Sequence, residues 1–441
     1  MNILPHKLST TKELLTSRGG LLAIASLIQK LNLSKLIDKN FVQPKSNRGF
    51  KPSTFINSLV LMHHEGGIRL DDLKHIKKDT AITKLLGLKN IPQPDSVGDW
   101  LRRHGENGVK SIAKINSELC KIALKGTTGV TLDIDASEIE SNKQEAKKTY
   151  KHHHGYMPMI GHIAEINHVI ETDFRAGNIS PKTKNLEFIQ KCVKNLPTGV
   201  KLRNLRIDCA GYQKSIIKYC DENKINFAIR AMMCKSLKQY ISTIGPDQWQ
   251  TVNKADGSTS NMHSHRINYT ISDYKKPFTL IIQRTPKPGQ QKLDLNIEEQ
   301  SEEIEKNGYI YRAIATSIDD KSDSEIINWY AMRAEKSENK IKELMLDFGG
   351  AHMPCGQIHA NALYFSICTL SYNLFVMLRH HLPEELQKSR AKAVRLRIYA
   401  MAAKLIKHAR KYQLKLQAYN TKILANIIEK IRRHEYYSIQ Q

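Results

Sequence analysis

Between residues 127 and 232 short apolar runs and amphipathic runs alternate in an order that few folds accommodate. GVTLDIDASEI reads as a buried strand that ends in acids, and PMIGHIAEI and HVIETDFRAG follow as two further strands of a meander. NLEFIQKCVKNLP then reads as a helix, LRNLRIDCAG as a strand, YQKSIIKYCDENK as a helix and INFAIRAM as a strand. Three meander strands followed by helix–strand alternation predict a mixed five-stranded sheet with helices on its faces. The flanking stretches differ in kind. Residues 1–126 carry apolar residues at helical spacing, as in AIASLIQKLNLSKLI and PSTFINSLVLMHH. Residues 233–322 hold short β runs (WQTV, HRINYTIS, FTLIIQRT, YIYRAIATS) between Gly, Pro, Asn and Asp clusters, and predict a β-rich insertion. Residues 323–380 return to the core with one long helix, DSEIINWYAMRAEKSENKIKELMLDFG, closed by Gly349-Gly350. The apolar helix after it, ANALYFSICTLSYNLFVMLRHHL, is interrupted by Asn and Ser and reads as core, short of the roughly 20 residues a membrane span needs. Residues 381–441 are basic and read as mostly helical.

Lys and Arg number 68 against 43 Asp and Glu, a net charge of +25 over 441 residues. So cationic a surface attracts polyanions, of which nucleic acid is the commonest. A ribosome-associated or merely well-solvated protein is the other reading. Within the N-terminal region, a basic helix carrying Arg102 and Arg103 follows the Pro-bounded turn IPQPDS, in the manner of a helix-turn-helix reader; an ordinary helical bundle accounts for it equally. The seven cysteines are scattered and form no CxxC pair, which argues against a zinc ribbon or finger. Their odd number suggests free thiols in a reducing cytoplasm. The N-terminus lacks a signal peptide's apolar core, and no membrane association is expected.

Three acids stand out. Asp135, in LDIDAS, lies near the end of an apolar strand, where an unpaired carboxylate is costly to bury. Asp133 is its rival, because residues two apart on a strand share a face. A capping or turn acid is the plainer alternative. Asp208, in LRNLRIDCAGY, closes another apolar strand just before a Gly turn, where α/β sheets gather ligands; an N-cap for the next helix is the alternative. Glu338 sits on the long helix. At about 100° per residue Ile327, Tyr330, Ile341, Leu344 and Phe348 form its inward stripe, flanked by Glu338 on one side and Arg333 on the other, with Glu335 and Glu343 pointing further outward. A solvated surface Glu is the alternative here.

The strings LDIDAS, GYMPMIG, DFRAGNIS, LRIDCAGY, WYAMRAEKSENKIKEL and MPCGQIHANALYFSI together resemble those of bacterial insertion-sequence transposases of the DDE group 1 type, the family numbered thirteen-eighty. The resemblance runs from about residue 127 to 380 and is weaker in both terminal regions. It implies an RNase H-like α/β catalytic core, with the mixed five-stranded sheet read above, a β-rich insertion and α-helical terminal regions. It implies that Asp135, Asp208 and Glu338 are the DDE triad, holding two Mg2+ or Mn2+ ions. Tyr330 and Arg333, with Glu338, match the family's Tyr-x-x-Arg…Glu…Lys signature and are implied to contact DNA near the transposon end. The Lys of that signature is replaced by Met345, while Lys342 lies one turn from Glu338.

What the resemblance implies is a DNA transposase. It would cut at terminal inverted repeats and join the 3′-hydroxyl to target DNA by two-metal in-line phosphoryl transfer. It would act as a homodimer on paired ends, in the cytoplasm of a bacterium and close to the nucleoid. In similar transposases the insertion helps stabilise a DNA hairpin and a flipped base, which makes Trp249 a candidate stacking residue. An inactive transposon-derived DNA-binding protein, a nuclease without strand transfer and a basic RNA-binding structural protein are the alternatives. His152, His153 and His154 with His162 suggest a transition-metal site, but consecutive histidines alternate in direction and a basic loop near DNA is preferred. Arg175 and Asn178 flank the site or, as preferred, form a hairpin loop.

Overall fold

The computed structural model describes residues 6–46, 48–271, 274–287, 303–333, 339–409 and 411–433. Two compact units divide the chain, one built from Asn116–Lys342 and the other from the stretches up to Ile115 and from Glu343 onward.

The first unit is built on a mixed sheet. Its strands are β1 (Gly129–Ala136), β2 (Met159–Ile163), β3 (His168–Asp173), β4 (Lys201–Ile207), β5 (Asn226–Arg230), β6 (Gln250–Asn253), β7 (Thr259–Ile271), β8 (Tyr274–Pro286) and β9 (Tyr309–Thr316). Their spatial order is β6-β7-β8-β9-β5-β4-β1-β2-β3, and the short strand Ile304–Lys306 pairs with β9. β1 is antiparallel to β2 and β2 to β3, while β1, β4 and β5 run parallel. All seven elements expected between residues 127 and 232 are present, including the helices α1 (Asn185–Lys194) and α2 (Lys214–Glu222).

The sheet has ten strands among the described residues and not five. The β runs of residues 250–316 extend the sheet, because β9 pairs antiparallel with β5, Thr316 beside Ala228 and Ile314 beside Arg230. β5 would otherwise present an apolar edge with unpaired backbone groups, and β9 covers it. A short helix, Lys235–Ile241, precedes the added strands.

The two faces carry different cargo. Val130, Leu132 and Ile134 of β1 pack with Leu205 and Ile207 of β4 against Phe188 and Ile189 of α1 and Ile216 and Ile217 of α2. Alternation sends Thr131, Asp133 and Asp135 to the opposite face. There Ala228, Ile281 and Ile314 pack against Ile326, Ile327 and Tyr330 of α3 (Asp323–Arg333). A reciprocal cap starts α3: Ser322 Oγ accepts the Glu325 N–H at 3.3 Å, and Glu325 Oε2 accepts the Ser322 N–H at 2.9 Å.

In the other unit helices Leu22–Lys30 and Pro52–Glu65 pack on the 22-residue helix Ile358–Arg379. That helix is long and apolar enough to cross a membrane, contrary to the shorter length expected, but its residues are buried in this unit. Its polar residues have internal partners. Ser371 Oγ is 2.9 Å from His63 Nδ1, and Tyr364 Oη is 3.2 Å from His63 Nε2.

Two further expectations are corrected. The C-terminal region is not all helical: Ala403–His408 and Lys411–Lys415 form an antiparallel hairpin, with Leu14–Thr16 paired to its first strand. Ala403 and Leu405 alternate into the interior there, a period of two that the many lysines hide. Glu343 does not face solvent. It is buried, accepting from Arg379 Nη2 at 2.6 and 2.7 Å and from the Ala391 N–H at 2.8 Å. A partnered carboxylate tolerates burial that a bare one does not. The stripe residues Ile327, Tyr330, Ile341, Leu344 and Phe348 are all buried as expected, whereas 334–338, between the helical segments Asp323–Arg333 and Asn339–Asp347, lie outside the described residues.

Candidate active site

β1 and β4 are parallel neighbours in register, Asp133 beside Arg206 and Ile134 beside Ile207. The residues that come next, Asp135 and Asp208, therefore emerge side by side at the carboxyl ends of two central strands. Both faces of this sheet are covered, so an acid on β1 must have a reason to be there.

Asp133 and Asp135 separate clearly. The Asp133 side chain is 1% exposed and takes a two-pronged ion pair from Arg206, with Nε to Oδ1 at 2.7 Å and Nη2 to Oδ2 at 2.8 Å. Arg206 also donates from Nη1 to the Trp329 carbonyl at 2.5 Å and lies over the Trp329 ring at 5.0 Å. Both carboxylate oxygens of Asp133 are thus committed to a buried fork that ties β1, β4 and α3 together. Asp135 is 18% exposed and Asp208 33% exposed, so both reach solvent.

Asp208 ends β4 and caps the 3-10 turn Cys209–Gly211, accepting the Ala210 N–H at 3.0 Å. The expected capping role is real, though it serves this turn and not α2. A Cβ at Gly211 would lie 2.2 Å from Ile207 Cγ2, so a larger residue here would displace the buried Ile207 side chain just before Asp208.

Arg333, at the end of α3, brings the two acids to one point. Its Nη2 lies 3.7 Å from Asp135 Oδ1 and 4.0 Å from Asp208 Oδ2. Burial works against the charge on Arg333, but Tyr330, Asp135, Asp208 and Asp133 outweigh it and push the guanidinium pKa up. Tyr330 fixes the helix beneath: it is buried, and its hydroxyl donates to the Ile207 carbonyl at 3.1 Å. The guanidinium of Arg230, at the end of β5, lies over the same ring at 5.4 Å.

Glu338, the third expected acid, lies outside the described residues. Lys342 is exposed and Met345 buried, so the Lys and not the Met offers a side chain to solvent. Arg102 and Arg103 are exposed on the helical segment Pro94–Ala123, which bends at Gly105; Arg102 pairs with Asp99 at 2.5 Å. Trp100 of that segment is buried and stacks on Phe41 and Phe55.

Several tempting residues lie elsewhere in function. Trp249 is buried under Arg284, 4.3 Å from its ring, and offers no free face for stacking. His162 is buried beside Asp133, with its pKa lowered to about 3 by burial, Lys340 and His168, while His152–His154 are exposed. Among the described residues no group of three His, Cys, Asp or Glu side chains is placed to hold a metal ion. Arg175 is buried against Asp173 at 2.8 Å and Asn178 is exposed in the following turn, as the hairpin-loop reading has it. Arg206, Trp329 and Arg230 were not anticipated. The signal for Arg206 was legible: LRID repeats the spacing of LDID, with a charged residue two before the acid.

A family model described as transposase DDE domain, group 1, matches residues 7–436. A cryo-EM structure described as a piggyBac transposase synaptic complex with hairpin DNA is similar over 97% of this chain and 86% of that one, at 12% identity and a TM-score of 0.45, a likeness too slight to build on. No curated protein matches the chain.

Proposed function

The chain belongs to the transposase DDE domain group 1 family and is a DNA transposase, and from that premise we propose that it cuts DNA at the ends of its element and joins the freed 3′-hydroxyls to target DNA. Asp135, Asp208 and Glu338 are its metal-binding carboxylates, carried by an RNase H-like core. The observation that carries this reading is the meeting of Asp135 and Asp208 at one guanidinium nitrogen, from strands far apart in the chain. The strand order β3-β2-β1-β4-β5, antiparallel on one side of β1 and parallel on the other, supports the core assignment.

The donor set fits a hard divalent cation. Both side chains offer carboxylate oxygens, both are partly exposed, and the neighbouring Asp133 is withheld by Arg206. Two Mg2+ or Mn2+ ions, when bound, would supply nucleophile activation and leaving-group stabilisation. The chain's own residues prepare the ground. Asp133 and Arg206 fix the register of β1 and β4 at the end where the acids emerge, and the Tyr330 hydroxyl anchors α3 to the β4 backbone. Arg102, Arg103 and Lys342 are exposed cations that we assign to DNA phosphates, and the homodimer on paired ends remains part of the same proposal.

Cleavage and joining assays on a terminal-inverted-repeat duplex with Mg2+ test this. Asp135→Asn, Asp208→Asn and Glu338→Gln should each cut activity by more than the roughly 10–100-fold that loss of an outer partner costs a metal site, with DNA binding kept. Binding without cleavage by the wild type would instead mark an inactive DNA-binding protein, and nicking without joining a nuclease.

A further inference from the structure

The two arginines that face acids at this sheet end are held differently. Arg206 grips Asp133 with two hydrogen bonds of 2.7 and 2.8 Å, the geometry of a permanent fork. Arg333 approaches Asp135 and Asp208 with a single nitrogen, at 3.7 and 4.0 Å, beyond hydrogen-bond length. Its Nε is buried and has no hydrogen-bond partner among the described residues. A guanidinium with unused donor capacity, drawn to two carboxylates yet bonded to neither, is positioned by charge and not by fit. Arg333 also comes from the far end of α3, a different element from the two strands, so its side chain takes no part in the β1–β4 pairing.

We propose that Arg333 is a stand-in cation: it neutralises Asp135 and Asp208 while no divalent ion is bound, and metal binding is an exchange in which the guanidinium gives way. This rests on the reading of Asp135 and Asp208 as metal ligands. Two carboxylates emerging side by side repel each other, and a nearby positive charge relieves that repulsion before metal arrives. The same charge opposes the entering cation, so the protein trades metal affinity for a site that holds together when empty. Once displaced, the guanidinium has its second nitrogen and its Nε available for a phosphate, which takes two parallel N–H donors well. Ion entry and the readiness of Arg333 for DNA are thereby coupled through one side chain.

The test is Mn2+ binding to the full chain without DNA, followed by the loss of the free-ion EPR signal, with thermal unfolding measured alongside. Arg333→Gln should bind Mn2+ about tenfold or more tightly than wild type, since it removes an opposing unit charge at close range. Without metal Arg333→Gln should unfold at a lower temperature than wild type, and saturating Mn2+ should close that gap. Arg333→Lys keeps the charge and should bind Mn2+ within about threefold of wild type, which separates loss of charge from loss of shape. Equal or weaker Mn2+ binding by Arg333→Gln, or tightening by Arg333→Lys as large as by Arg333→Gln, overturns the exchange. Asp135→Asn distinguishes the two levels. If wild type binds Mn2+ and Asp135→Asn does not, the ligand reading stands and the Arg333 result alone decides the inference. If wild type shows no binding that Asp135→Asn abolishes, the ligand reading falls and the inference with it.

Discussion

Asp133 and Asp135 differ by two positions and share a face of β1, and one neighbour decides what each can do. Arg206 stands beside Asp133 across the parallel β1–β4 pair and takes both of its oxygens; Asp135, two residues nearer the strand end, reaches solvent. Removing one partner of a buried, two-pronged pair typically costs 3–5 kcal/mol. Asp133→Asn should therefore lower stability by about that much in a denaturant titration, while Asp135→Asn should cost less. The reverse order would make Asp135 the structural acid. The residue patterns LDID and LRID made acids at strand ends legible, but sequence could not rank Asp133 against Asp135. That ranking depends on which residue of a strand some 70 positions away falls opposite, and the pairing register is a property of the assembled sheet.

At the scale of elements, periodicity served well where burial was two-sided. β1, β4 and β5 carry apolar residues that face a layer of amphipathic helices, and all three strands were legible. It failed at the C-terminal hairpin. Ala403–His408 and Lys411–Lys415 bury few side chains, and the lysines at four of the other positions suit a helix as well as a strand. On the outer face Lys404 stands opposite Lys415. Like charges directly opposite destabilise a sheet unless a counter-charge lies over them; Glu13 supplies one to Lys404, while no Asp or Glu occurs between residues 403 and 415 themselves. The function proposed above would place the exposed Lys411 and Lys415 of this hairpin against DNA phosphates. Replacing Lys411 and Lys415 by Gln should lower the slope of log affinity against log salt by about 0.9 for each phosphate no longer neutralised, with the fold intact. An unchanged slope would remove the hairpin from the DNA interface.

For the whole molecule, the ten-stranded sheet was the larger surprise. Turn-rich β runs after a regular α/β rhythm read as an interruption, yet β9 continues the sheet from β5, because an exposed apolar edge is the cheapest place to add a strand. α3 lies across the face that carries Asp133, Asp135, Arg206 and Asp208. The account as a whole depends on the sheet end at Asp135 and Asp208 being a divalent-cation site. Diffraction from crystals of the full chain soaked in Mn2+, measured for its anomalous signal, tests it directly. The account predicts an anomalous peak about 2.1 Å from carboxylate oxygens of both Asp135 and Asp208, with Glu338 completing the set. A Mn2+ peak only elsewhere, or none at this sheet end in crystals saturated with the ion, would contradict it.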